Sequence, residues 1–505
     1  MHTPQVAAMA LAAAMCGASC QGEVRIDFSG TGKGTEKRET ILSGPPLGMV
    51  GWDAIMVGDM DGDGLAEVAA GNRDYAAPGE SERRGAVHIV YGRRTFPAHV
   101  DLGTTEATIQ GDLISQPMKV EIAAPGDIDG DGLADLIVTL PSPLNCSPVG
   151  RRIPWEMESY AGVFVIYGGR ARLSGRTSLG AVSAKIAIDS PCADTSYATA
   201  ALGDIDGDGL GDFAVAFPGS ADDASSASGG YIRLVYGDRK RFAGTVALAA
   251  AGGELRGAAD GRGFAELVRA AGDVDGDGYA DFLVRELFQD PARASLSARV
   301  YLVRGGATRL SGATTLAGTT TVFRPRHDFG FSMTGLGDID GDGVGDLAIV
   351  ETEPAGSFAK IFYGRRSWPA ELFTSDADAS VGPSARLVAA GGDLDGDGRD
   401  DWLSSDQNAD GFKGIVYLIS GSSTRLHGSL TLATIAASVP GPNPVIVHLD
   451  SQDVLEVPVF GTALAGGHDV DGDGLADVVV GVPGNIVSGN RGGEVHMLLR
   501  RPPLP

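Results

Sequence analysis

A nine-residue acidic motif recurs seven times along this chain and limits its fold more than any other feature of the sequence. Its cleanest copy is Asp-Ile-Asp-Gly-Asp-Gly-Val-Gly-Asp, residues 338–346, followed by the apolar run Leu347–Val350. The other copies begin at Asp59, Asp127, Asp204, Asp273, Asp393 and Asp469, at intervals of 55 to 77 residues. Self-similarity on that scale means one supersecondary unit laid down repeatedly, because a single unit cannot bury its apolar face alone.

The residue types within a copy define a chemistry. Carboxylates stand at positions one, three, five and nine, and glycines at four and six allow the positive φ of a tight turn. The complete set is Asp59, Asp61, Asp63 and Glu67; Asp127, Asp129, Asp131 and Asp135; Asp204, Asp206, Asp208 and Asp212; Asp273, Asp275, Asp277 and Asp281; Asp338, Asp340, Asp342 and Asp346; Asp393, Asp395, Asp397 and Asp401; Asp469, Asp471, Asp473 and Asp477. With a backbone carbonyl near position seven, these acids make an all-oxygen cage. Such a cage suits Ca²⁺, which takes six to eight oxygens at about 2.3–2.6 Å, better than Mg²⁺, which keeps its water and demands an octahedron. Up to seven Ca²⁺ ions are expected. An EF-hand opens the same way but needs a bidentate acid at position twelve. That position holds Ala70, Val138, Val215, Val284, Ile349, Ser404 and Val480. The bland alternative is an acidic, solvated turn without metal, but seven copies of the same four acids exceed what solubility requires.

Charge follows from the motifs. Of the 65 acidic residues, 28 stand at the four acidic positions of the seven motifs, leaving 37 against 40 Lys and Arg, so the formal charge of −25 belongs to the motifs. No long basic run occurs and the arginine pairs are scattered, which gives no support for nucleic-acid binding. The 75 glycines in 505 residues suit many tight turns between short strands.

The apolar run after each loop reads as a buried strand. A third strand follows in every repeat: GAVHIVYG (85–92), AGVFVIYGG (161–169), GYIRLVYG (230–237), ARVYLVRGG (298–306), Phe358–Tyr363, GIVYLISG (414–421) and GEVHMLLR (493–500). In the fifth repeat Phe329–Gly335 leads into the loop, and a fourth strand is expected near Leu372. The first and fifth repeats share the connector YGRR[TS][FW]PA, at Tyr91–Ala98 and Tyr363–Ala370. Four short strands in each of seven repeats predict an all-β, seven-bladed β-propeller with four-stranded blades over residues 37–500. The last repeat has no fourth strand of its own before the tail at 501–505. Lys37–Gly44 resembles the fourth-strand segment Glu106–Gly111, so an N-terminal strand near 38–43 is expected to complete blade seven and close the ring.

Residues 1–20 read as a signal peptide, with Val6–Met15 as its apolar region, and 21–36 as a linker. Gly17-Ala-Ser-Cys20 resembles a lipobox with Cys20 as the acylated residue, although Gly17 departs from the usual larger aliphatic residue. Lipid anchorage and free release both stay open. Ser29–Thr35 does not satisfy GxxxxGK[ST], since Gly34 follows Lys33. Cys146 and Cys192 fall in connectors one blade apart and would form a disulfide in an exported chain, two free thiols being the alternative. No later segment has 18 uninterrupted apolar residues, so no membrane span is expected.

These features together resemble the FG-GAP repeat, the unit of the integrin α-subunit propeller and of many bacterial exported proteins. The residues that carry the likeness are Phe329-Gly330, the DxDGDGxxD loops, Gly481-Val-Pro-Gly484 and the GxVxxxYG third strands. The Phe-Gly pair is degraded elsewhere, to Gly51-Trp52 in the first repeat. The resemblance implies Ca²⁺ loops between the first two strands of each blade. It does not carry over a partner or an adhesive role.

For function, the sequence points to a non-enzymatic, exported, monomeric propeller that presents loops to a protein or glycan at the cell surface, with structural metals. A polysaccharide- or lipid-processing enzyme and a subunit of an envelope assembly are the alternatives. No GxSxG, HExxH or CxxC occurs. His468 beside Asp469 reads as a satisfied loop histidine, and His88 and His496, at matching third-strand positions, as packing residues. Trp52, Trp155, Trp368 and Trp402 read as blade packing, and Asp376 and Asp378 as solvated acids. Ligand contacts are expected on the connectors 140–160 and 431–458.

Overall fold

Each acidic loop joins two antiparallel strands, as its flanks require: a half-polar strand leads in and a fully buried apolar run leads out. In the computed structural model the described residues span 38–499, apart from connector stretches, chiefly 76–84, 112–119, 141–161, 189–196, 220–228, 258–262, 291–294, 408–413, 432–434, 436–444, 449–460 and 484–491. Cys20, Cys146, Trp155 and Cys192, the leader and most of the two longest connectors lie outside them. No described helix is long and apolar enough to cross a membrane.

Blade one runs Val50–Gly58, Glu67–Asn72, Ala86–Val90 and Ala107–Gln110 from the axis outward. The pattern recurs to give seven sheets. The innermost strands form the ring: Val50–Gly58 packs on Glu121–Gly126 of blade two and on Leu464–His468 of blade seven. Second strands such as Asp135–Leu140 and Asp477–Val482 are buried at every residue, because a neighbouring blade covers each face.

The hydrophobic core lies between blades rather than within them. Val87 and Ile109 of blade one pack with Ile122, Leu136 and Ile166 of blade two. Val50, Val68 and Val90 pack with Val479, Val495 and Met497 of blade seven. Every blade thus buries apolar area only against its neighbours, which makes the ring one cooperative body.

Four strands per blade understates the sheets. Six of the seven contain five strands, the fifth borrowed from the next blade. Gly175–Ser178, from blade two's connector, pairs parallel with Ala107–Gln110 of blade one. Equivalent loans run from Thr245–Ala247, Ala313–Thr315, Glu371–Phe373, Gly428–Thr431 and His99–Asp101. The cause is the outer edge of each blade, whose free N–H and C=O groups need partners that the passing connector supplies. Leu372 therefore belongs to a borrowed strand on blade four, and the fourth strand of blade five is Ala379–Gly382. Among the described residues blade six has four strands, ending at Val445–His448.

Arg38–Ser43 pairs antiparallel with Glu494–Leu499, the third strand of blade seven. Across this pairing the buried His496 reaches Glu39 at 2.7 Å through Nδ1 and Glu494 at 3.3 Å through Nε2. Burial alone would lower its pKa, but the two carboxylates outweigh that and hold it up at about 9. His88, at the matching position of blade one, faces Asn72 and Thr108 instead, and burial pushes its pKa down to about 3. The two histidines that look equivalent in sequence thus differ in charge. Because the folded pKa of His496 is raised, its stabilisation is complete below pH about 6.5 and is lost as pH rises through about 9, at most about 3 kcal/mol. Hydrogen exchange at 38–43 should accelerate over that pH window, and Glu39→Gln should flatten the dependence.

Candidate metal centre

The loop is held by its own acids. In every copy the N–H groups of the glycines at positions four and six donate to the two oxygens of the first aspartate, at 2.6–2.9 Å. Those fourteen glycines have φ between +72° and +92°, the left-handed turn that side chains resist. The third- and fifth-position carboxylates hold the turn as well, Asp129 accepting from Asp131 N–H and Asp131 from Leu133 N–H in the second loop.

The ninth acid has a different environment. Glu67, Asp135, Asp212, Asp281, Asp346, Asp401 and Asp477 are at most 1% exposed. One oxygen of each accepts the N–H of loop position two, at 2.5–3.1 Å. In six copies the other oxygen accepts from the residue that closes the third strand (Gly92, Gly168, Gly237, Gly305, Gly364 or Gly421) at 2.7–3.4 Å. This acid ties loop, second strand and third strand together. Burial raises its pKa to about 8 for Glu67 and about 7 for Asp135, Asp212, Asp281, Asp346 and Asp401, with the neighbouring loop carboxylates adding to the rise.

The donor set fits a hard cation. Carboxylate oxygens of Asp127, Asp129 and Asp135 lie within 4.8 Å of one another, as do those of Asp204, Asp206 and Asp212, of Asp273, Asp275 and Asp281, and of Asp59, Asp61 and Asp63. In the fourth loop Asp275 pairs with Arg304 at 3.1 Å, and burial raises its pKa, with the Asp277 and Asp273 carboxylates adding to the rise. A further cluster, His327, Glu351 and Glu353, fits less well, because the Lys360 ammonium already lies 2.5 Å from Glu353 and 3.6 Å from Glu351.

Two features of the centre escaped sequence reasoning. The first is that the loops are chained. The carbonyl of each first-position aspartate accepts the N–H of position eight in the next loop, at 2.7–3.1 Å, through all seven copies and back from Asp469 to Ala66. The available signal was position eight itself, which is Ala or Gly in six copies because the neighbouring backbone approaches so closely. Asp400 is the exception, and its carboxylate accepts the N–H of Asp338 at 2.8 Å. The second feature is that at least four loops receive an arginine from the following blade. Arg172 pairs with Asp61 and Asp63, Arg241 with Asp129 and Asp131, Arg309 with Asp206 and Asp208, and Arg425 with Asp340 and Asp342.

Away from the loops, the inner strands enclose a central cavity of about 630 Å³, whose lining includes Trp52, Glu121, Arg269 and Phe331. Trp368 and Trp402 are buried as read, but Trp52 is 40% and Phe331 60% exposed. Both stand near the starts of their strands, at the end opposite the acidic loops, with Arg73 over Trp52 and Arg285 over Phe331. His468 ends its inner strand and is exposed. Asp378 is no solvated acid, since it accepts from Tyr363 N–H and pairs with Arg365.

The architecture is thus a seven-bladed β-propeller with an acidic turn between the first two strands of every blade. Residues 460–498, spanning the strands of blade seven, match the FG-GAP repeat family. Over 142 residues the chain is 28% identical to integrin alpha-PS2 of Drosophila melanogaster, a stretch that covers 26% of this chain and 10% of that protein. The chain therefore carries an FG-GAP repeat and is similar, over about a tenth of that protein's length, to an integrin alpha subunit.

The sixth-position glycines isolate backbone strain from packing. A Cβ on Gly132 or Gly343 would touch nothing within 4 Å, yet both have φ of +86°. Gly132→Ala or Gly343→Ala should each cost about 1–2 kcal/mol, read as a lower midpoint in denaturant unfolding with unchanged slope.

Proposed function

We propose that this chain is an exported, non-enzymatic binding propeller whose seven acidic loops hold Ca²⁺ as a structural ion, and whose ligand is a protein or glycan at the cell surface. The observation that carries this is the loop itself, an all-oxygen donor set with buried, desolvated carboxylates, repeated at every blade. The residues that would hold the ion are the four acids of each motif; when bound, it supplies positive charge to a desolvated acidic turn. The chain's own residues do the rest. The first aspartate wraps the turn, the ninth acid anchors it to the third strand, and the interblade hydrogen bonds pass that order to the neighbours.

The ligand-binding part of the reading draws on the similarity to an integrin alpha subunit and on the cavity mouth with its exposed Trp52 and Phe331. Ordered metal at one rim leaves the other free for recognition. Export rests on the apolar leader Val6–Met15, and the pairing of Arg38–Ser43 with Glu494–Leu499 reads as the seam that closes the ring.

Calcium titration of the purified full chain tests the metal. Each occupied site should stabilise by about 2.7 kcal/mol at a calcium concentration 100 times its dissociation constant. The melting temperature should therefore climb with calcium and fall back in chelator. Melting that ignores calcium would remove the proposal's foundation. Ligand class would be read from glycan arrays and surface-protein pull-downs with and without chelator, with polysaccharide turnover as the outcome that favours an enzyme.

A further inference from the structure

The four arginine contacts belong to a larger pattern that four of the loops share. Arg172, Arg241, Arg309 and Arg425 each open the sequence Arg-[Leu/Phe]-x-Gly, at 172–175, 241–244, 309–312 and 425–428. The glycine takes φ of +64° to +69° and starts or immediately precedes the strand lent to the preceding blade. In each case the guanidinium donates through Nε to Oδ2 of the third-position aspartate and through Nη2 to Oδ2 of the fifth. Its flat face lies over the tyrosine that ends the preceding blade's third strand: Tyr91, Tyr167, Tyr236 and Tyr363, at 4.8, 4.8, 5.1 and 4.8 Å. The same tyrosine hydroxyl accepts the N–H of the residue after the arginine, at 2.8, 2.7, 2.9 and 2.7 Å.

Tyrosine and arginine come and go together. The third strands of blades four, six and seven place Arg304, Ser420 and Leu499 where the tyrosine stands. In the connectors of blades five and one, Ser367 and Thr95 stand where the arginine would. There Arg365 and Arg93 pack instead on Trp368 and Phe96 of their own connector. The fourth loop has Arg304 of its own blade on Asp275, and the sixth has Arg399, from within the loop, on Asp397. A contact made for general charge balance would not track a tyrosine on another strand.

We infer that Arg172, Arg241, Arg309 and Arg425, each braced by a tyrosine, are positioning residues that set the third- and fifth-position carboxylates of the first, second, third and fifth loops for a divalent cation. This rests on the cation reading above. The geometry explains the choice of arginine: two oxygens on two different residues are held by one planar fork, which a lysine ammonium cannot span. With Oδ2 held by the arginine and Oδ1 accepting the N–H two residues on, each of these aspartates is fixed in the turn, the role that outer partners play for metal ligands. Arginine also adds a like charge near the cation, which by Coulomb repulsion acts the other way. The sign of the net effect is what an experiment can read.

The test uses the full chain and its Arg241→Met and Arg241→Lys variants, with hydrogen exchange of a peptide covering 127–135 followed through a calcium titration. In a positioning role both variants raise the calcium midpoint of the second loop about tenfold, while the loops starting at Asp59, Asp204 and Asp338 keep theirs. Tyr167→Phe, which keeps the ring and loses the hydroxyl that accepts from Phe242, should raise the same midpoint by a smaller factor; it serves if Arg241→Met does not fold. A lower midpoint in Arg241→Met, or a wild-type midpoint in Arg241→Lys, would identify the arginine as a repelling or merely neutralising charge and overturn the inference. If the unmodified chain shows no calcium-dependent protection at any loop, the cation reading itself falls and this inference with it.

Discussion

The structure depends on a hydrogen bond between neighbours that is repeated until it meets itself. Each first-position aspartate offers its carbonyl to the N–H at position eight of the next loop, through all seven loops. The bond fixes how far apart successive loops sit, and hence the angle between blades. It also crowds acid around one rim. At an effective dielectric near 20, two carboxylates ~4 Å apart repel by about 4 kcal/mol, and each loop holds four. A ring that brings these turns together by backbone bonds must neutralise them by other means. In four loops arginines from the following blade meet part of the demand. The donor set left inside the turn is what a divalent cation would meet.

Much of this was legible in the sequence, for a definable reason. The blade count, the strand–loop–strand unit and the seven third strands followed from periodic residues whose roles are local: glycines at positive φ, acids at fixed spacing, apolar runs of strand length. Each has the same neighbours in every copy, so one copy explains the rest. The burial of Trp368 and Trp402 was equally local. What escaped was relational. Nothing within 172–178 announces that Gly175–Ser178 pairs with another blade's edge while Arg172 reaches that blade's acids. Those facts depend on where the connector crosses, which is set by the angle between blades rather than by its own residues. Leu372 was misplaced for the same reason, since borrowed and native outer strands look alike in composition.

His88 and His496 show the limit in miniature. Their third strands align residue for residue, and a packing role for both is the natural reading. The difference comes from the partner strand: Thr108 faces His88, and Glu39, more than four hundred residues away in sequence, faces His496. One histidine is neutral because burial is unopposed, and the other is charged because two carboxylates outweigh the same burial.

The two rims of the ring consequently carry different burdens. At the loop rim the polar groups serve turn geometry, a neighbouring loop or charge compensation, and the positive φ of the glycines resists side chains even where there is space for a Cβ. The opposite mouth is under no such constraint. Trp52 and Phe331 remain exposed there, each covered on one side by an arginine rather than sealed into a blade. An apolar ring left half in water does nothing for a core that is already complete between blades. The binding reading proposed above would place its contact there, and a rim stiffened at the far side would keep that surface in one shape.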